Sequence, residues 1–138
     1  MKKRILIIDD DLNLCQSFID KLSEQYAIYT CFRFNYAERL IQLYQFDVII
    51  IDINMNPSGL NFPITRYNDF LYSGLFFYKE KLKHVINECD TIIVFWSMYS
   101  ELTFLDFFNQ HVPPNVSFVN KMQYSPDGFL EYINSLYG

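Results

Sequence analysis

At 138 residues the chain has the length of one ordinary domain, and 51% hydrophobic against 20% charged residues excludes a disordered polymer. Sixteen acidic residues against 11 basic ones, for a net charge of −5, argue against a nucleic-acid surface, which needs clustered Lys and Arg; no nucleic-acid partner is expected. No apolar run is long enough to cross a bilayer, and Met-Lys-Lys-Arg leads into a strand-like run and aspartates rather than a signal peptide, so a cytoplasmic protein without membrane contact is expected.

Arg4 to Ile8 reads as a short apolar strand that ends in Asp9, Asp10 and Asp11. Consecutive carboxylates repel one another, so a fold that gathers them at a strand end calls for a nearby cation. Leu12, Cys15, Phe18 or Ile19, Leu22 and Tyr26 recur at helical spacing, with Asp11 or Asn13 placed to cap the helix. Ala27 to Phe32 reads as a second strand. Asn35 followed by Glu38 resembles a capping box, predicting a helix through Leu40, Ile41 and Tyr44.

Four β-branched residues in a row, Val48 to Ile51, cannot alternate between core and solvent, which predicts a strand covered on both faces in a parallel sheet. That strand runs into Asp52. Pro57, Gly59, Pro63 and Gly74 then punctuate a long stretch rich in apolar and aromatic residues, including Phe62, Ile64, Tyr67, Phe70 and Tyr72, expected to pack back near Asp52 or to extend the next helix. Leu75 to Glu88 is predicted as the third helix, its Lys79, Lys81, Lys83 and His84 a solvated face.

Thr91 to Trp96 is a fourth strand ending at Ser97, Glu101 to Gln110 a helix stopped by Pro113 and Pro114, and Val116 to Val119 a fifth strand followed by Asn120 and Lys121. Ser125 with Pro126 caps a last helix carrying Phe129, Leu130, Ile133 and Leu136. Cys15, Cys31 and Cys89 are odd in number and lack metal-ligand spacing, so they read as reduced, mostly buried thiols.

Strands alternating with helices imply a parallel sheet with right-handed crossovers, and one domain over residues 1–138. Parallel topology brings Asp9, Asp10, Asp52, Ser97 and Lys121 to one edge of the sheet. Carboxylate oxygens suit a hard cation such as Mg²⁺, a lysine and a hydroxyl suit phosphate oxygens, and an aspartate held among them can attack phosphorus.

At this point Ile-Leu-Ile-Ile-Asp-Asp, Asp-Val-Ile-Ile-Ile-Asp-Ile-Asn-Met, Ile-Ile-Val-Phe-Trp-Ser and Phe-Val-Asn-Lys together resemble the receiver domain of two-component response regulators, over essentially the whole length. The resemblance implies an α/β flavodoxin-like fold with a five-stranded parallel sheet in the order 2-1-3-4-5 and helices on both faces. It implies Asp52 as phosphoacceptor, Asp10 as a direct Mg²⁺ ligand with Asp9 beside it, and Asn54 offering its backbone carbonyl to the metal. Ser97 would be the switch hydroxyl, Lys121 the phosphate-binding lysine, and Phe118 the switch aromatic. The implied partners are a histidine kinase or phosphotransfer protein, a downstream protein, and a second copy docking through the fourth helix, fifth strand and fifth helix. Phe104, Phe107, Phe108, Tyr132 and Tyr137 would enrich that face, or be core.

Met98 stands where the family has a small residue, Met122 where it has a proline in a cis peptide, and the stretch after Asp52 is longer than usual. Met98, with Tyr99 beyond it, is expected to narrow the approach of water to a phosphorylated Asp52, giving a slowly decaying phosphoprotein; the plainer reading is that Met98 turns aside and fills a gap under the aromatic stretch. The alternative function is a receiver-like interaction module that no longer cycles phosphate. A Mg²⁺-dependent phosphohydrolase is a weaker third, because such enzymes want an acid where this chain has Asn54. An enzyme of metabolism is not expected.

Overall fold

A computed structural model of the chain describes residues 2–55, 72–87, 90–98 and 101–137. Five parallel strands, β1 (Arg4–Ile8), β2 (Ala27–Cys31), β3 (Val48–Asp52), β4 (Ile92–Ser97) and β5 (Val116–Asn120), form one sheet in the order β2-β1-β3-β4-β5. The described helices are α1 (Leu12–Leu22), α2 (Phe34–Leu43), α3 (Ser73–Glu80), α4 (Glu101–Phe107) and α5 (Pro126–Ser135), with a 3₁₀ turn at Leu82–His84. This is the doubly wound, flavodoxin-like order, and no helix among the described residues is long and apolar enough to cross a membrane.

The pleat of the inner strands divides the core in two. Ile5, Ile7, Val48, Ile50, Val94 and Trp96 face α1 and α5, meeting Cys15, Leu22, Phe129, Leu130 and Ile133. Leu6, Ile8, Ile49, Ile51, Ile93 and Phe95 face the other helices, meeting Phe34, Ala37, Leu75, Phe77, Tyr78 and Phe104. Each buried Ile contributes roughly 1.5–3 kcal/mol, so the strands that end at the acidic residues are held from both sides.

Local signals behave as expected at two helix starts. The Asp11 side chain accepts a hydrogen bond from Leu14 N at 3.3 Å, and Ser125 Oγ accepts one from Gly128 N at 3.1 Å with Pro126 at the first helical position. The capping box at Asn35 does not form. Helix α2 starts at Phe34, with Arg33 at its N-cap and no side-chain cap, because burying Phe34 against Phe77, with ring centroids 4.8 Å apart, draws the helix start ahead of Asn35.

The third helix is shorter than its apolar pattern suggests. It ends at Glu80 and tightens into the 3₁₀ turn that buries Leu82, and two like charges four residues apart, Lys79 and Lys83, weaken a continuous α-helix there. Lys79, Lys83 and His84 are exposed as expected, while Lys81 lies 3.8 Å from Glu38. Helix α4 stops at Phe107 because Asn109 and Gln110 take left-handed backbone angles, φ 50° and 65°, and Gln110 N turns back to Leu105 O at 3.0 Å. Tyr137 lies beyond α5 with the Lys3 ammonium 3.9 Å over its ring, so it does not add to the α4–β5–α5 face.

Cys15 and Cys31 are buried free thiols, and burial pushes the Cys31 thiol up to about 12. No peptide bond among the described residues is cis. Cys89, Tyr99 and the aromatic stretch with Phe62, Ile64, Tyr67 and Phe70 lie outside the described residues.

Candidate functional site

Strand register assembles the site. Ile8 pairs with Ile51, Asp52 with Trp96, and Ser97 with Asn120, so β1, β3, β4 and β5 reach their carboxyl ends at one level. Backbone hydrogen bonds continue past the strands: Asp9 N donates to Cys31 O, Ile53 N to Trp96 O, and Lys121 N to Ser97 O. The Asp9 and Lys121 side chains therefore leave from backbone tied to the neighbouring strands.

Carboxylate oxygens of Asp9, Asp10 and Asp52 all lie within 4.8 Å of one another. Asp9 is fully buried, Asp52 is buried, and Asp10 is exposed at the rim. Lys121 Nζ sits between two of them, 2.7 Å from Asp9 Oδ2 and 3.5 Å from Asp52 Oδ2. Burial alone would draw the Lys121 ammonium down, but the charge of Asp52 and the bond to Asp9 outweigh it and hold the group above its ordinary value. Its ammonium also lies 5.2 Å from the centre of the Trp96 ring.

Asp52 carries the electrostatic cost of this crowding. Burial first, and the Asp9 charge second, push its carboxyl up to about 7, against the opposing pull of Lys121 and of the hydrogen bond from Asn54 N to Oδ1, 3.1 Å long. Three carboxylates within reach of one ion suit a hard divalent cation such as Mg²⁺ by ligand type and charge.

Ser97, also buried, donates from Oγ to Asn54 Oδ1 at 2.8 Å. Met98 is 52% exposed at the same edge. Phe118 is partly buried, its ring 5.5 Å from that of Phe104. Every residue singled out from the sequence for the site, Asp9, Asp10, Asp52, Asn54, Ser97 and Lys121, thus lies at this edge of the sheet.

Two residues that sequence reasoning did not place here also shape the site. Gly74, in the first turn of α3, donates from its N to Ile53 O at 3.0 Å, and a Cβ built on it would lie 2.1 Å from the carbonyl oxygen of Asp52. Ser73 Oγ beside it donates to Met55 O. The chain thus returns from residues 56–71 directly against the backbone of Asp52, and the signal in the sequence was a Ser-Gly pair opening an apolar run. Cys15 is the second: its Sγ lies 3.3 Å from Asp9 Oδ2, and burial followed by the charge of Asp9 pushes its thiol far above the ordinary value, so the sulfur keeps its proton and donates.

With this geometry, comparison with solved structures is decisive for the fold. A two-component response regulator from Clostridium difficile superposes with a TM-score of 0.73 at 18% identity, covering 99% of this chain and 96% of that one. The fold is that of receiver domains. A CheY-like response regulator receiver domain from Methanospirillum hungatei follows at TM-score 0.65 and 20% identity, covering 99% and 94% of the two chains. The BeF3-activated receiver domain of DrrB, a Thermotoga maritima regulator, gives TM-score 0.68 at 19% identity, covering 99% and 98%. No family model and no curated protein matches the sequence.

Proposed function

We propose that the chain is a phosphoacceptor receiver, phosphorylated on Asp52 in a Mg²⁺-dependent reaction. The observation that carries this reading is the placement of Lys121 between Asp9 and Asp52 in a cluster of three carboxylates, a charge pattern that awaits a divalent cation and a phosphoryl group together. Asp10 and Asp52 would hold Mg²⁺, with Asp9 beside them and the Asn54 carbonyl as a further oxygen donor. An ion held there would neutralise the carboxylates and the incoming phosphoryl oxygens.

In the transfer, a lone pair of an Asp52 carboxylate oxygen forms the new O–P bond. The P–N bond of a phosphohistidine breaks, its electron pair stays on that nitrogen, and the imidazole leaves neutral because its other nitrogen carries a proton. Lys121 moves its ammonium from Asp9 to a phosphoryl oxygen, and Ser97 exchanges Asn54 for another. Each exchange replaces a contact that holds the resting site, and this gives phosphorylation a structural consequence.

The donor is a histidine kinase or phosphotransfer protein in the cytoplasm, and output passes to a downstream protein or to a second copy through α4, β5 and α5. Leu102 of α4 is exposed, whereas Phe104 belongs to the core and Phe107 and Phe108 pack against Phe76 and Tyr78 of α3. Sedimentation that shows a monomer at high concentration, with and without beryllofluoride, rules out the second copy.

The test of the central reading is incubation with Mg²⁺ and acetyl phosphate, followed by intact mass. A phosphoryl adduct in the wild type and none in Asp52→Asn supports the assignment. An equal adduct in Asp52→Asn, or none in either protein, rejects it.

A further inference from the structure

Hydrogen-bond capacity at Asp9 is nearly used up. Oδ2 accepts from Lys121 Nζ at 2.7 Å and from the Cys15 thiol at 3.3 Å, which together occupy both of its lone pairs, and Oδ1 accepts from Asp11 N at 2.9 Å. Asp9 is fully buried and Cys15 almost so, so neither can replace a lost partner with bulk water. A buried charged oxygen stripped of its donors is costly.

Lys121 is the partner that must leave when a phosphoryl group arrives. We propose that Cys15 is a positioning residue for that step: its thiol, anchored one turn into α1, holds Asp9 Oδ2 after Lys121 swings away, and so sets how readily the lysine is released. Two effects act in the same direction. While Lys121 is in place, the thiol shares the same oxygen and weakens the lysine's hold on it. Once Lys121 has left, the thiol remains as a side-chain donor to that oxygen.

The inference rests on the phosphoacceptor reading of Asp52, and one experiment separates the two. Beryllofluoride is titrated at saturating Mg²⁺ into wild type, Cys15→Ala, Cys15→Val and Cys15→Ser, with the fluorescence of Trp96 as the signal. Trp96 is the chain's one tryptophan, and its ring lies against Lys121. Valine fills the space of the thiol without a donor, so it serves where alanine fails to fold. Serine keeps a donor.

A typical net hydrogen bond corresponds to about twofold to tenfold in affinity, and a thiol is a weak donor. Cys15→Ala and Cys15→Val should therefore bind beryllofluoride about twofold to fivefold more weakly than wild type, and Cys15→Ser should recover most of the loss. In a Lys121→Met background there is no lysine to release, and the Cys15 substitutions should change affinity no further. A packing role would not depend on Lys121.

Equal affinity in wild type, Cys15→Ala and Cys15→Val overturns the proposal. So does the same loss in Cys15→Ser, or a loss that persists in the Lys121→Met background. Failure of wild type itself to bind beryllofluoride overturns the phosphoacceptor reading, and this inference with it.

Discussion

Replacing Asp52 with Asn should stabilise the metal-free protein, and the gain should grow with pH. In the folded chain the carboxyl group titrates at about 7 rather than at its ordinary 3.8, because burial and then the Asp9 charge oppose ionisation. Between those two values the folded state holds a proton that the unfolded state has lost, so wild-type stability falls as pH rises from about 4 to about 7. Each pKa unit is about 1.4 kcal/mol, so ionising Asp52 costs the fold up to roughly 4 kcal/mol once pH passes 7. Asn removes that charge, keeps an oxygen for Asn54 N, and leaves Lys121 its 2.7 Å partner Asp9. The attraction of Lys121 is already contained in that raised value, so the expected gain above pH 7 is up to roughly 4 kcal/mol. The assay is urea unfolding of both proteins in a chelator at pH 5, 6, 7 and 8. Asp52→Asn should lead by least at pH 5 and most at pH 8, and saturating Mg²⁺ should close the gap by stabilising the wild type. A difference that stays constant with pH, or a less stable variant at pH 8, would refute the electrostatic account.

Gly74→Ala should cost about 1–3 kcal/mol, the range for forced overpacking, because the new methyl group meets the Asp52 carbonyl oxygen 2.1 Å away. Its melting temperature and Mg²⁺ affinity should both fall, and an unchanged melting temperature would contradict the contact. Gln110→Gly should stabilise by about 0.5–1 kcal/mol, since glycine adopts the φ of 65° without penalty, as thermal unfolding can check. Met98→Ala should speed loss of phosphate from Asp52, on the reading that a bulky side chain beside Ser97, 52% exposed, hinders an attacking water. A decay rate that is unchanged or slower in the variant would show that Met98 does not gate water.

Much of this fold can be read from its strands. Val48 to Ile51 and Ile92 to Trp96 are apolar without interruption because both faces of the sheet are covered, and the site residues follow at the strand ends, where parallel topology gathers them. Strand order, by contrast, came with the family resemblance rather than from periodicity. What the sequence hid were contacts between distant residues. The start of α2 depends on Phe34 meeting Phe77, and no spacing rule within residues 33 to 38 reports that. Gly74 touches the carbonyl of Asp52 after the chain has travelled through residues 56–71, and Cys15, read only as a buried thiol, turns out to face Asp9. For Asn54 the backbone role was expected, while the hydrogen bond of its side chain with Ser97 depends on strands β3 and β4 lying side by side.

The hydrogen bonds from Gly74 N to Ile53 O and from Ser73 Oγ to Met55 O draw the two ends of the stretch 56–71 together into a closed neck. In polymer terms the ends of that loop are fixed by contacts that belong to the scaffold, and the entropy of closing it grows only slowly with contour length, by about 0.6 kcal/mol for each doubling. Selection can therefore lengthen, shorten or rewrite this stretch at small thermodynamic expense while the geometry at Asp52 stays put. The two backbone-anchored ends thus separate the cost of changing the sequence between them from the contacts that fix the backbone of Asp52.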